Sequence, residues 1–160
     1  FILAFKQLKS EPDFKNKLKF VVSAGRAFDK VINDDQDICI LRWSPQIELL
    51  KRASLFITHC GMNSSIETIH YGVPVICVPI DTDQPLVAYR LADQLGLGKR
   101  FSPYKLDSNE LQKAMKEILN NESYLSRALD LSRVSRKYNG SVNGANEIYS
   151  ILYNLDKKSK

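Results

Sequence analysis

Two kinds of residue are scarce in this 160-residue chain, and each scarcity excludes something. There are three cysteines, Cys39, Cys60 and Cys77, and none forms a Cys-x-x-Cys pair. An odd, scattered set gives neither a disulfide framework nor a structural zinc site, so it reads as three buried thiols in a reducing compartment. Only two histidines are present, His59 and His70, and no His/Cys/Asp cluster has metal-ligand spacing. No apolar run approaches the roughly 20 residues that a membrane-spanning helix needs. Charge is not concentrated either. The net charge of +5 comes from 10 basic and 8 acidic side chains in residues 1–80 and 13 and 10 in residues 81–160. Without a basic block, the surface is an ordinary solvated mixture, and nucleic acid is not an expected partner. The opening Phe1-Ile2-Leu3-Ala4-Phe5 is short, with no basic leader and no small-residue cleavage site, so it is not a secretory signal. It has no initiator Met and begins inside an apolar pattern, which suggests a piece of a longer chain.

Hydrophobic residues make up 44% and charged residues 26%, the composition of a globular domain with one core. Short apolar runs alternate with helical patterns. Residues 19–23, 38–41, 55–58 and 75–78 read as buried strands. A helix opens at Pro45, where a missing N–H costs nothing, and runs to about Arg52. Another begins at Ser64-Ser65 with Ile66 and Ile69 inward and stops at Gly72. A third spans about Gln84 to Leu95 before Gly96, and three more cover 109–119, 123–138 and 145–155. Strands separated by helices imply an α/β, Rossmann-like three-layer domain: a parallel sheet flanked by helices. Ligands of such sheets bind beyond the carboxyl ends of the strands, where every unusual motif of this chain falls.

Four motifs occupy those ends. In Trp43-Ser44-Pro45-Gln46, the sole tryptophan can stack on a flat base; taken alone it reads rather as a core anchor under the following helix. Thr58-His59-Cys60-Gly61-Met62-Asn63-Ser64-Ser65 joins a strand to a helix. Helix N-terminal N–H groups attract phosphate, Gly61 permits close backbone approach, and His59, Asn63, Ser64 and Ser65 add donors. The same stretch also reads as a capping box, Ser64 with Glu67 three residues on. Glu67 suits the paired hydroxyls of a ribose, or merely the helix dipole. Asp83 and Gln84, within Asp81-Thr82-Asp83-Gln84, suit sugar hydroxyls, or a helix cap.

Taken in order, Trp43-x-Pro45-Gln46, Thr58-His59-Cys60-Gly61-x-Asn63-Ser64, Glu67, Gly72-Val73-Pro74, Pro79 and Asp83-Gln84 resemble the donor signature of UDP-glycosyltransferases. The sixteen-residue spacing from Trp43 to His59 and the Gly61-Met62 pair resemble the bacterial macrolide-type branch. Plant members have two more residues there and usually Trp in place of Met62. The likeness runs from the Phe20 strand to the Gly144-Ala145 helix. It implies the C-terminal half of a two-domain GT-B fold, with residues 1–160 forming a single nucleotide-sugar-binding domain and the N-terminal acceptor domain missing. By position, Trp43 would stack on uracil with Gln46 nearby. His59, Asn63, Ser64 and Ser65 would hold the diphosphate at the Gly61 turn. Glu67 would bind ribose, and Asp83 and Gln84 the sugar. Ser23, Gly25 and Arg26 would line the same cleft.

The resemblance implies an inverting transfer of a hexosyl group from a UDP-sugar, with UDP-glucose the expected donor, to an acceptor hydroxyl. The acceptor would be a small molecule or a lipid. No metal and no cofactor is expected, because His59 and the helix N-terminus would neutralise the departing diphosphate. The family's catalytic base is a His in the N-terminal domain. His59 belongs to the donor motif and His70 reads as a structural or surface residue, so no catalytic residue is assigned to this chain, which is expected to be inactive alone. A cytoplasmic location is expected. Two other readings are a stand-alone soluble subunit with a separate membrane partner, as in the enzyme that adds GlcNAc to a dolichol-linked sugar, and a binding module without catalysis.

Overall fold

The computed structural model describes residues 1–138 and 140–158. Its strands are β1 (Phe20–Ser23), β2 (Ile38–Leu41), β3 (Phe56–Thr58), β4 (Val75–Cys77) and β5 (Gly98–Arg100). Its α-helices are α1 (Ile2–Lys9), α2 (Gln46–Leu50), α3 (Met62–Tyr71), α4 (Gln84–Tyr89), α5 (Ser108–Asn120), α6 (Glu122–Lys137) and α7 (Gly140–Lys158). All strand pairing is parallel, as the apolar runs imply, but it falls into two ladders, β1-β2 and β3-β4-β5, rather than one sheet. Side chains join the ladders instead. Phe20, Val22, Ile38 and Ile40 share one core with Ile57, Ile76 and Val78.

β4 explains the layering. Its residues alternate between two cores, which is what burial on both faces demands. Ile76, with Val78 just beyond the strand, packs among α1 and α5 through Leu8, Leu111 and Met115. Val75 and Cys77 face Ala88, Leu91, Ala92 and Ala128, from α4, the turn after it and α6. The result is the expected three-layer α/β arrangement.

Several expectations are corrected. α3 begins at Met62 with Gly61 as its N-cap, two residues before Ser64, and no side chain caps it. The Ser64/Glu67 capping box therefore does not form. The inward face of α3 is Ser65, Thr68 and Ile69, a spacing of three to four that leaves Ile66 56% exposed. Ser65 and Thr68 can be buried because each hydroxyl donates to the carbonyl four residues back, Gly61 and Ser64. Cys39 is exposed while Cys60 and Cys77 are buried. On β2, the pleat turns Ile38 and Ile40 to the core and Cys39 outward. The helix before Gly96 loosens: residues 90–94 form a wider π turn, with Leu95 N–H donating to the Arg90 carbonyl, and Gly96 takes φ 64. No helix among the described residues is long and apolar enough to cross a membrane.

Candidate functional site

Because the strands run parallel, the loops after β1, β2, β3 and β4 leave the carboxyl ends of their strands. These four loops and the starts of the helices that follow them carry most of the candidate site residues, with Ser65 and Glu67 further along α3.

The loop after β1 contains Ser23, Gly25 and Arg26. Gly25 takes φ 53, a left-handed conformation that glycine adopts without cost, and starts a 3-10 turn over Gly25–Lys30. Backbone bonds from Ala24 to the Leu41 carbonyl and from Gly25 to the Arg42 carbonyl tie this loop to the one after β2. Arg42 strengthens the tie, pairing with Asp29 at 2.8 Å and lying over the Phe28 ring. Nothing in the local sequence marks this brace, since ion-pair partners 13 positions apart leave no periodic signal.

Trp43 follows directly and is 76% exposed, which removes its reading as a core anchor. Pro45 then caps α2, and Gln46 is the first residue of that helix. The Gln46 amide reaches across to α3, with Nε2 donating to Ser64 Oγ at 3.1 Å and to Glu67 Oε2 at 2.6 Å. Trp43's loop and the middle of α3 are thereby fixed relative to one another.

The loop after β3 is compressed into His59-Cys60-Gly61. Cys60 sits at φ 67, and its N–H is held by Thr58 Oγ1 at 3.1 Å. His59 is exposed, and its ring lies against Gly61. The N–H groups of Met62, Asn63 and Ser64 precede the first hydrogen bond of α3, which runs from Ser65 N to the Gly61 carbonyl. They leave the positive end of the helix open to an anion. The side chain of Ser65, in contrast, is 2% exposed and donates into its own helix, so it presents no group at the surface.

After β4, Asp81, Thr82 and Asp83 are exposed in a turn with Thr82 at φ 59. Gln84 holds this turn together. Its Oε1 accepts from the N–H groups of Ile80 and Asp81 at 2.9 and 3.2 Å, a role that does not use its amide nitrogen. Asp83 is the N-cap of α4 but makes no capping bond with its side chain. Its carboxylate instead accepts from the Thr82 hydroxyl at 3.0 Å. Among the described residues, no group of three or more His, Cys, Asp or Glu side chains could hold a metal ion.

The loops after β2, β3 and β4, with the helices that follow them, carry an exposed aromatic plane, a helix N-terminus beside an imidazole, a carboxylate–amide pair, and an exposed carboxylate beside an amide; the Gln46 amide links the first of these segments to the second. His70 lies at the opposite end of α3, where its carbonyl accepts from Ser132 Oγ and Arg136 Nε. Only its carbonyl joins the α3–α6 packing; the residue itself is exposed, in keeping with a structural or surface residue.

Residues 30–138 match the family described as UDP-glucoronosyl and UDP-glucosyl transferase. The Bacillus subtilis protein YojK, described as an uncharacterized UDP-glucosyltransferase, is 35% identical over 138 residues, covering 85% of this chain and 33% of its own length. The NDP-glycosyltransferase YjiC of Bacillus licheniformis is 33% identical, with 85% of this chain and 35% of its own length covered. Among solved structures, the glycotransferase of kitacinnamycin superposes with a TM-score of 0.77 at 27% identity, over 82% of this chain and 34% of that one. Os79 from O. sativa, solved in complex with UDP, gives a TM-score of 0.65 at 26% identity, over 74% of this chain and 29% of that one. The chain thus spans about a third of the length of the curated relatives it matches.

Proposed function

This chain belongs to the UDP-glucoronosyl and UDP-glucosyl transferase family, and we propose on that premise that it is the donor-binding, C-terminal domain of an inverting glycosyltransferase that uses a UDP-sugar. What supports the reading is a set of chemically different groups that follow the carboxyl ends of β2, β3 and β4, each suited to one part of a nucleotide sugar. Trp43 offers the plane for uracil. Glu67 offers a carboxylate for ribose. The Met62, Asn63 and Ser64 N–H groups and His59 surround a position for the diphosphate. Asp83 and the free amide of Gln84 offer an acceptor and a donor for sugar hydroxyls. In this reading Ser65 contributes only by packing, and its proposed place at the diphosphate passes to the backbone N–H groups ahead of it.

The chemistry follows from those positions. An acceptor oxygen attacks the anomeric carbon, the bond from that carbon to the β-phosphate oxygen breaks, and negative charge grows on the departing diphosphate. In this reading the open end of α3 and the His59 imidazole would meet that charge, and preorganised donors act most strongly at such a point. The proton leaving the acceptor hydroxyl needs a base. Neither histidine is placed for it, so we assign the base and the acceptor site to the part of the enzyme that the curated relatives have and this chain does not span.

The test uses the sole tryptophan as its own reporter. UDP added to the chain should change Trp43 fluorescence in a saturable way, because an indole 76% exposed loses solvent when a base stacks on it. Unchanged fluorescence together with no calorimetric heat at millimolar UDP would overturn the proposal.

A further inference from the structure

Cys60 and Cys77 are nucleophilic side chains that the donor-site reading leaves unused. Both are fully buried, in the core that holds Val75, Ala88, Leu91 and Ala128. The register of β3 on β4 sets Thr58 opposite Cys77. Cys60 comes two residues later at φ 67, which folds the chain back, and its thiol lies in contact with that of Cys77. Cys60 Sγ donates to the Thr58 carbonyl at 3.7 Å and accepts from Cys77. Accepting that bond holds the Cys60 thiol below its ordinary range, while donating it, together with burial, pushes the Cys77 thiol up. Cys60 is therefore the better nucleophile of the two. Its turn also borders solvent, since His59 is exposed and Gly61 partly so.

We propose that Cys60 and Cys77 form an oxidisable dithiol, which a peroxide closes into a disulfide that switches off anion binding at the start of α3. The Cys60 thiolate attacks one peroxide oxygen. An S–O bond forms, the O–O bond breaks, and the departing hydroxide takes up the Cys60 proton as water. The Cys77 sulfur then attacks the sulfenic sulfur. The S–S bond forms, the S–O bond breaks, and the hydroxyl leaves with the Cys77 proton as a second water. Each sulfur is oxidised by one electron and the peroxide is reduced by two. A peroxide is scarcely larger than water, so a small local opening of the turn admits it where a bulky thiol reagent is excluded. The new bond draws the sulfurs to about 2.05 Å, closer than any hydrogen bond. Cys60 must then leave the Thr58 carbonyl and shift toward β4. It stands between His59 and Gly61, so the shift displaces the imidazole and the first N–H groups of α3 together.

The switch rests on the UDP-binding reading above, and its test keeps the two separable. Cys39→Ser first removes the exposed thiol. That protein is treated with hydrogen peroxide, unfolded, alkylated and cut after Glu67, which lies between the two cysteines. UDP affinity is read by calorimetry on the same sample. The two cysteine peptides should stay joined, lighter by two hydrogens and unalkylated. UDP affinity should fall by about ten-fold or more, the worth of one displaced charge-assisted bond. Dithiothreitol should restore it, which separates the disulfide from oxidation of the exposed Met62, since methionine sulfoxide needs its own reductases. Cys60→Ala in the same background, or Cys60→Ser if that does not fold, should show no thiol-reversible loss. Free or over-oxidised thiols after a dose that has converted Met62 overturn the proposal, and so does a disulfide that leaves UDP affinity unchanged. A parent that binds no UDP sinks the donor-site reading and the switch with it, while the peptide link still decides whether the pair oxidises.

Discussion

Gly61→Ala is the sharpest available probe of His59. Gly61 caps α3 with φ −60 and ψ 146, a conformation open to any residue, so backbone freedom is not what the glycine supplies. The space it leaves is filled by the neighbouring ring. A Cβ at position 61 would lie 2.7 Å from His59 Nε2 and 3.5 Å from Cδ2 and Cε1. Ordinary carbon contacts are about 3.5–4.0 Å, so the imidazole must move by about 1 Å. A hydrogen bond set at about 2.9 Å does not survive that displacement. If Nε2 is a donor to the diphosphate, the substitution removes one charge-assisted bond, about 1.5–3 kcal/mol, or roughly 10- to 150-fold in UDP affinity.

Stability should change little. Alanine is the poorer N-cap by about 0.5–1 kcal/mol, and the stiffer unfolded chain returns about 0.4–1 kcal/mol. Calorimetric titration of the parent, Gly61→Ala and His59→Ala with UDP and with uridine reads the effect. Both variants should lose UDP affinity by similar factors and keep uridine affinity, because uridine has no phosphate. If Gly61→Ala binds UDP as the parent does, the ring is not at the diphosphate. If uridine weakens equally, His59 supports the loop rather than the ligand.

Other outcomes follow from the packing. Gly98→Ala should destabilise the fold by about 3 kcal/mol and lower Tm by roughly 6–12 °C, because its Cβ would lie 1.6 Å from the Val75 carbonyl oxygen of β4, backbone that cannot move aside; a melting curve like the parent's would refute the β4–β5 register. In a thiol titration of the native chain, exposed Cys39 should react at once, and Cys60 and Cys77 only on unfolding. Cys77 should resist most, since its hydrogen bond with Cys60 and then its burial push its thiol above the ordinary range. Three fast-reacting thiols would contradict the second core.

What the sequence revealed and what it hid differ in their physical range. Strands β1 to β4 are legible because each is a short run of apolar, mostly β-branched residues fenced by turn formers. The loop motifs are legible because each is contiguous. β5 is not, since Gly98-Lys99-Arg100 has no apolar alternation and pairs on one side only. α1 is missed because Phe1 offers no capping side chain, and its helical face of Ala4, Phe5 and Leu8 emerges only against α5. Exposure is the least local property. The thiol of Cys39 sits within an apolar run and the indole of Trp43 follows it closely, yet the pleat and the loop turn both to solvent. The Gln46–Glu67 bond is hidden for the same reason, since it exists only once α2 and α3 pack.

The two loops that bear the most polar chemistry also hold the site's two non-glycine residues with positive φ, Cys60 at 67° and Thr82 at 59°. Left-handed backbone costs such residues roughly 1–2 kcal/mol each, so something must maintain it. In both loops a neighbouring side chain does so locally. Thr58 Oγ1 accepts from Cys60 N–H, and Asp81 Oδ1 accepts from Thr82 N–H at 2.6 Å. Behind both, β4 is buried on its two faces and fixes where β3 and β4 end, with Val78 N–H closing onto the Thr58 carbonyl at 2.8 Å. A loop that is strained, locally bonded and anchored to a rigid strand has its shape before any ligand arrives. On the proposed donor-site reading, that is the condition under which donors stabilise developing charge without first reorganising, and the cost of such a site would fall on the stability of the fold rather than on the binding step.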